Sequence, residues 1–227
     1  MARAGAAVAV FFSLAALTRP AAAVDDWEGR MRSGQSNMDS ARYAEAETDY
    51  AAALALCGPG RAGSERYMET LGGLAEACRL QGKLTESDAA YCRLIANYER
   101  SPARQPMRLA DLYCRLADLD VGQAEFGEAE QMYKRGLAIY AGVEGAGGRH
   151  VAEALAKLAR VYAREGVPAR AAATYARAFR IKQQLLAPQS PELLESMLEY
   201  SELLRSAHRT QDADRLKAQA LGGRDRT

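Results

Sequence analysis

The chain has 227 residues, 48% of them hydrophobic and only 7% aromatic, enough apolar material to bury a sizeable core. Alanine, leucine, arginine and glutamate dominate, side chains that lose little entropy in a helix, so the expected fold class is all-α. Thirty basic residues against 29 acidic ones leave a formal charge of +1, which excludes the clustered positive charge that nucleic-acid binding requires.

The first element reads as an address. Arg3 supplies a basic start, Ala4 to Leu17 an apolar stretch and Ala21-Ala22-Ala23 a small-residue cleavage site, so residues 1–23 are expected to be a signal peptide and the product secreted or periplasmic. The apolar run stops at Thr18-Arg19-Pro20, short of the roughly 20 residues a membrane span needs. Removal of 1–23 takes Arg3 and Arg19 and no acid, leaving 28 basic against 29 acidic residues.

From there residues 24–221 form one repeating phrase, each copy a pair of helices. The first unit, about 27–67, carries a small residue at Gly34 and then Tyr43, Ala46, Tyr50 and Ala53. The second, 68–109, carries Leu74-Ala75, then Leu84, Ser87, Tyr91 and Leu94. The third, 110–151, has Leu116-Ala117, then Phe126, Ala129, Tyr133 and Gly136, and the fourth, 152–193, has Leu158-Ala159, then Pro168, Ala171, Tyr175 and Ala178. The fifth, 194–221, is weaker: Tyr200-Ser201, then Thr210, Ala213, Lys217 and Ala220, and residues 222–227 are expected to be a disordered tail.

The small residues stand at 34, 75, 117, 159 and 201, spacings of 41, 42, 42 and 42. Two antiparallel helices approach closely only where a small residue faces the partner, and an aromatic on the second helix then covers the gap. Gly82 and Gly166 stand where a residue of positive φ ends the first helix, while Gly122 and Gly127 are less regularly placed. A single hairpin cannot bury such a face, so the hairpins must stack into a solenoid.

The small–aromatic–small pattern resembles the tetratricopeptide repeat, and the period near 42 is similar to that of kinesin light chains and their bacterial relatives, over about residues 25–221. Tyr133 to Tyr140 and Ser190 to Leu194 resemble that family's phrases at repeat ends and starts. The resemblance implies a right-handed α-solenoid of about five helix-turn-helix repeats that binds a protein or peptide on its concave face. The family's paired Asn before Leu-Ala is absent, replaced by Gly72-Gly73, Cys114-Arg115, Ala156-Lys157 and Leu198-Glu199, so its way of gripping a peptide backbone is not expected to transfer.

In this architecture the first helix of each hairpin lines the groove. Six residues before each small position stand Glu28, Glu69, Asp111, Glu153 and Glu195, a row that also suits a helix N-terminus. One residue after it come Gln35, Glu76, Asp118, Arg160 and Glu202. Glu76, Asp118, Arg160 and Glu202, with Arg79, Arg164 and Arg205 further along, are the candidate partner-binding residues, and a basic partner is expected.

His150 and His208 have no ligand set around them, and no phosphate loop, nucleophile elbow or zinc helix motif occurs, so neither metal, cofactor nor catalytic residues are expected. Among Cys57, Cys78, Cys92 and Cys114, the pair Cys92 and Cys114 lies equidistant from the turn near residue 103 and is a candidate disulfide in an oxidising compartment. Beside the exported scaffold stand two alternatives: a module that stacks on itself, and a cytosolic kinesin-light-chain-like adaptor, which requires that 1–23 not be a signal.

Overall fold

The computed structural model describes residues 23–58, 63–100 and 105–224. The expected signal peptide lies outside these residues except for Ala23, and so do the central residues of two connectors, 59–62 and 101–104. Ten helices follow one another in five hairpins: α1 (Ala23–Asp39) with α2 (Tyr43–Cys57), α3 (Glu65–Leu80) with α4 (Leu84–Glu99), α5 (Pro106–Gly122) with α6 (Phe126–Glu144), α7 (Arg149–Arg164) with α8 (Pro168–Leu185), and α9 (Pro191–Ser206) with α10 (Thr210–Arg224). Each helix packs on the helices before and after it in the chain, the arrangement of an all-α solenoid. The hairpins begin up to a turn earlier than the units drawn from the repeated phrase. α10 continues to Arg224, three residues into the expected disordered tail.

Every hairpin turns in the same way. A residue seven after the small position takes the left-handed conformation: Ala41 (φ 56°), Gly82 (77°), Ala124 (61°), Gly166 (83°) and His208 (61°). The amide that follows it donates back across the helix end, Arg42 to Asn37, Lys83 to Cys78, Glu125 to Asp120, Val167 to Tyr162 and Arg209 to Leu204, at 2.8–2.9 Å. These are Schellman closures that satisfy carbonyls otherwise orphaned at a helix end. Only two of the five use glycine, so Ala41, Ala124 and His208 carry a steric penalty.

The hairpins close on two columns of small side chains. Ala75, Ala117 and Ala159 are fully buried on the first helices, as are Ala46, Ser87, Ala129, Ala171 and Ala213 on the second. Ser87 donates its hydroxyl to the Ala75 carbonyl at 2.8 Å, which shows how near the two backbones come. Over this contact lies the aromatic column, Tyr50, Tyr91, Tyr133 and Tyr175, each at most 3% exposed. In the fifth hairpin the matching residue, Lys217, is exposed.

Positions on a first helix that meet the preceding hairpin are apolar or aromatic. Leu74 packs with Tyr50, Tyr113 donates to Glu99, Tyr162 donates to Glu130 at 2.8 Å, and Tyr200 stacks on Tyr175 at 5.6 Å. On α1 the same positions hold Arg30, Ser33 and Asn37. All three close instead on Asp49 of α2, at 3.0, 2.6 and 3.0 Å. α1 thus presents a polar flank at the first end of the stack.

The left-handed turns give a direct stability test. Ala124→Gly should relieve the strained φ by more than it adds to unfolded-chain entropy, a net gain of about 0.5–1 kcal/mol. In a chain of this size that is a rise in Tm of about 2 °C by calorimetry; a lower Tm would contradict the strain.

Candidate interaction face

The first helices α1, α3, α5, α7 and α9 share one face, joined by side chains that reach from each to the next. Trp27 of α1 donates its indole N–H to Thr70 of α3 at 3.0 Å, with the Arg66 guanidinium over its ring at 4.7 Å. Further along, a ladder of ion pairs crosses the face at a constant offset of 39 residues. Glu76 accepts from Arg115 at 3.3 Å, Asp118 from Lys157 at 2.7 Å, and Arg160 donates Nη2 to Glu199 at 2.8 Å with its Nε on the other carboxylate oxygen. Each rung joins the residue after one small position to the residue two before the next.

The aromatic column supplies the third member of each rung. Tyr91 donates to Glu76 at 2.8 Å, Tyr133 to Asp118, and Tyr175 to Glu199 at 2.8 Å. In the last rung acid and base have exchanged helices, and the hydroxyl has followed the carboxylate. In these three rungs the buried tyrosine meets a carboxylate from one helix or the other, and a cation that balances the acid comes from the opposite one. A phenol held in an apolar interior beside a carboxylate resists ionisation: burial first, then the Glu76 charge and hydrogen bond, push Tyr91 up to about 12.

The acids respond in the opposite sense. Arg79, one turn along α3, binds Glu76 at 2.6 Å. That bond holds the Glu76 carboxyl below its ordinary range against the effect of burial, with Tyr91 and Arg115 adding to it. For Glu199 burial is the largest influence and acts upward, but the hydrogen bonds from Arg160 and Tyr175 outweigh it and the net shift is downward.

Three of the expected partner-binding residues, Glu76, Asp118 and Arg160, are thus bound within the chain, and so is Arg79. Arg205 pairs with Asp214 of α10 at 2.6 Å, and Arg164 lies over the Phe126 ring at 5.4 Å. Glu202 stands exposed at the open end of the ladder. The counterparts Arg115, Lys157 and Glu199 were not among the expected site residues, although all three stand two residues before a small position. The signal that finds them is the 39-residue offset, visible only once the residues on neighbouring first helices are compared.

The row six residues before the small positions is exposed throughout: Glu28, Glu69, Asp111, Glu153 and Glu195. Glu28 meets Arg66 at 3.4 Å and Asp111 accepts from Tyr140. On α9 four acids follow one another, Glu192, Glu195, Glu199 and Glu202, one helical turn or so apart, ahead of Arg205 in the last turn. Glu192 and Glu199 are paired to Arg149 and Arg160, whereas Glu195 and Glu202 have no ion pair among the described residues.

The expected Cys92–Cys114 bridge is not formed, and all four cysteines are free thiols. Cys114 turns into its own hairpin, where a Cβ on Gly136 would come within 2.9 Å of its sulfur. Cys92 lies half-buried on α4 with its sulfur toward Asp88. Burial raises the thiols of Cys78 and Cys114 to about 11, which makes them unreactive at neutral pH. Among the described residues no group of His, Cys, Asp or Glu could hold a metal ion, and no helix is long and apolar enough to cross a membrane.

No family model and no curated protein sequence matches the chain, but its backbone matches solved structures over nearly all its length. A kinesin-light-chain-like protein of Podosopora anserina with nearly identical TPR-like repeats superposes with a TM-score of 0.75 at 18% identity, covering 92% of this chain and 98% of that one. BtubC (BKLC) from P. vanneervenii gives 0.73 at 17% identity, covering 91% and 92%. MamA gives 0.65 at 16%, covering 89% and 93%. At these identities the likeness establishes the fold: a tetratricopeptide-like solenoid.

The ladder predicts an acid-sensitive stability with a definite sign. Glu76 and Glu199 have folded pKa values below their unfolded ones, so their contribution is present above about pH 4.5 and is lost as pH falls through the folded values. Arg160→Ala should remove less than about 1 kcal/mol at pH 7, because the pair is partly exposed. It should also flatten the fall in urea midpoint below pH 4.5; an unchanged acid limb would show that Arg160 does not hold Glu199.

Proposed function

We propose that this protein is an exported, non-catalytic scaffold that captures a protein or peptide partner on the face formed by α1, α3, α5, α7 and α9. The fold displays surface and leaves chemistry to whatever that surface meets. The observation that carries the reading is the division of charge on this face. The rungs neutralise one another between repeats, while Glu195 and Glu202 remain exposed and unmatched on α9. A partner bearing basic side chains gains most there, and its approach is steered by the uncompensated acids.

The ends of the stack argue against self-assembly by continued stacking. α1 offers Arg30, Ser33 and Asn37 where a preceding hairpin would need apolar contact, and these are already committed to Asp49. α10 presents Lys217 in place of the column tyrosine, and among its described residues Leu221, 44% exposed, is the one exposed large hydrophobic side chain. Both ends have the polar outer face of capping repeats.

Export rests on the tripartite N-terminus, and cleavage after Ala23 would remove only the first residue of α1. Sequencing the mature product from its native source should give Val24 first; an intact Met1 would instead favour the cytosolic adaptor.

Reversal of the unmatched acids tests the face itself. Glu195→Lys with Glu202→Lys should abolish capture of the native partner and leave the circular dichroism and Tm nearly unchanged, since surface substitutions usually cost under about 0.5 kcal/mol. Undiminished capture would place the binding surface elsewhere. Reversal at Glu76 or Asp118 is a poorer test, because it breaks a rung and leaves a tyrosine hydroxyl without its acceptor.

A further inference from the structure

Tyr50 is the one member of the buried tyrosine column whose rung is missing. The positions that supply the rung in later repeats are here Gln35 and Gly73, so no carboxylate stands on either side. A Cβ added to Gly34 would lie 2.8 Å from Tyr50 Cε1, and one added to Gly73 2.7 Å from both Cε1 and Cζ. The ring is therefore held between the backbones of α1 and α3, with its hydroxyl end beside Gly73. Tyr50 is only 3% exposed, yet among the described residues its hydroxyl has no hydrogen-bond partner, unlike those of Tyr91, Tyr133 and Tyr175. Tyr50 Oη is not among the fully enclosed unbonded atoms of the described residues, so it reaches the surface, where a guest N–H can supply the bond that the chain does not.

The surroundings choose the guest. Burial first, then the charges of Asp39, Glu69 and Asp49, push the Tyr50 phenol up. Asp49 is already engaged by Arg30, Ser33 and Asn37. Asp39 at the end of α1 accepts only the neutral amide of Gln35, at 2.8 Å, and Glu69 is exposed on α3. Two cations of α1 are turned away, Arg30 toward Asp49 and Arg32 toward the Glu28 carbonyl one turn back, while Arg108 of α5 is within electrostatic reach of Glu69. An anionic guest would meet the charges of Asp39, Glu69 and Asp49 together, whereas a cationic guest finds an acceptor lone pair beside them.

We propose that the open rung between the first two repeats receives the side chain of a lysine or arginine from the bound partner, its N–H donating to Tyr50 Oη and its charge balanced by Asp39 and Glu69. The partner thereby completes the one step of the ladder that the chain leaves unbuilt. This deepens the scaffold reading and rests on it, because it places the entering chain on the same first-helix face.

The test uses the purified chain, labelled on its tyrosine rings, and the blocked tripeptide acetyl-Ala-Arg-Ala-amide, with the uncharged citrulline tripeptide as control. Titration followed by NMR should shift the Tyr50 ring resonances with the arginine peptide and leave them nearly still with the citrulline one. Tyr50→Phe should weaken arginine-peptide binding about tenfold, the worth of one hydrogen bond to a charged group. Its Tm should stay unchanged, whereas Tyr133→Phe should lower Tm and leave peptide binding intact. Equal binding of the two peptides, full binding by Tyr50→Phe, or a Tm loss in Tyr50→Phe matching that of Tyr133→Phe would each overturn the assignment. If the arginine peptide fails while native capture still depends on Glu195 and Glu202, the open rung falls and the scaffold reading stands. If the peptide result holds while capture ignores those acids, the acidic α9 surface falls and the open rung stands.

Discussion

The structure depends on one recurring contact: a buried tyrosine laid over a residue with little or no side chain, its hydroxyl delivered to a carboxylate on the far side. The small residue lets two helix backbones approach, and the ring fills the space that remains. In three of the four repeats the hydroxyl of the buried ring is bonded to a carboxylate, and losing that acceptor would cost more than the hydrogen bond contributes. The requirement propagates outward. It places an acid on the exposed face, the acid calls for a cation on the neighbouring helix, and the cation ties one repeat to the next. The reversed last rung shows that the carboxylate, not the identity of the helix bearing it, is what the tyrosine demands.

Much of this order was legible in the residues alone. The spacing of Gly34, Ala75, Ala117, Ala159 and Ser201 locates five hairpins because close packing admits so few side chains at that point. The turns were half-legible: Gly82 and Gly166 announce a left-handed residue, but Ala41, Ala124 and His208 adopt it under the pull of the same backbone hydrogen bonds, which composition does not reveal. Cys92 and Cys114 show the complementary failure. Their equal spacing from the turn follows from counting, while the direction each sulfur points depends on how three helices meet.

The face itself was legible as a set of exposed positions and not as a set of available ones. Glu76, Asp118 and Arg160 occupy groove positions in the repeat register, yet each serves the ladder. In the proposed reading the side chains left for a partner are those the ladder does not use, the acids of α9 and the unrung tyrosine of the first repeat. Arg115, Lys157 and Glu199 stand on the same face, and there they hold one repeat to the next.

The account places partner recognition on the first helices, and site-specific photo-crosslinking addresses that placement directly. A crosslinker at position 195 on α9 should capture the native partner, and one at Arg177, exposed on the second helix α8, should not. Capture from position 177 with none from 195 would contradict the account.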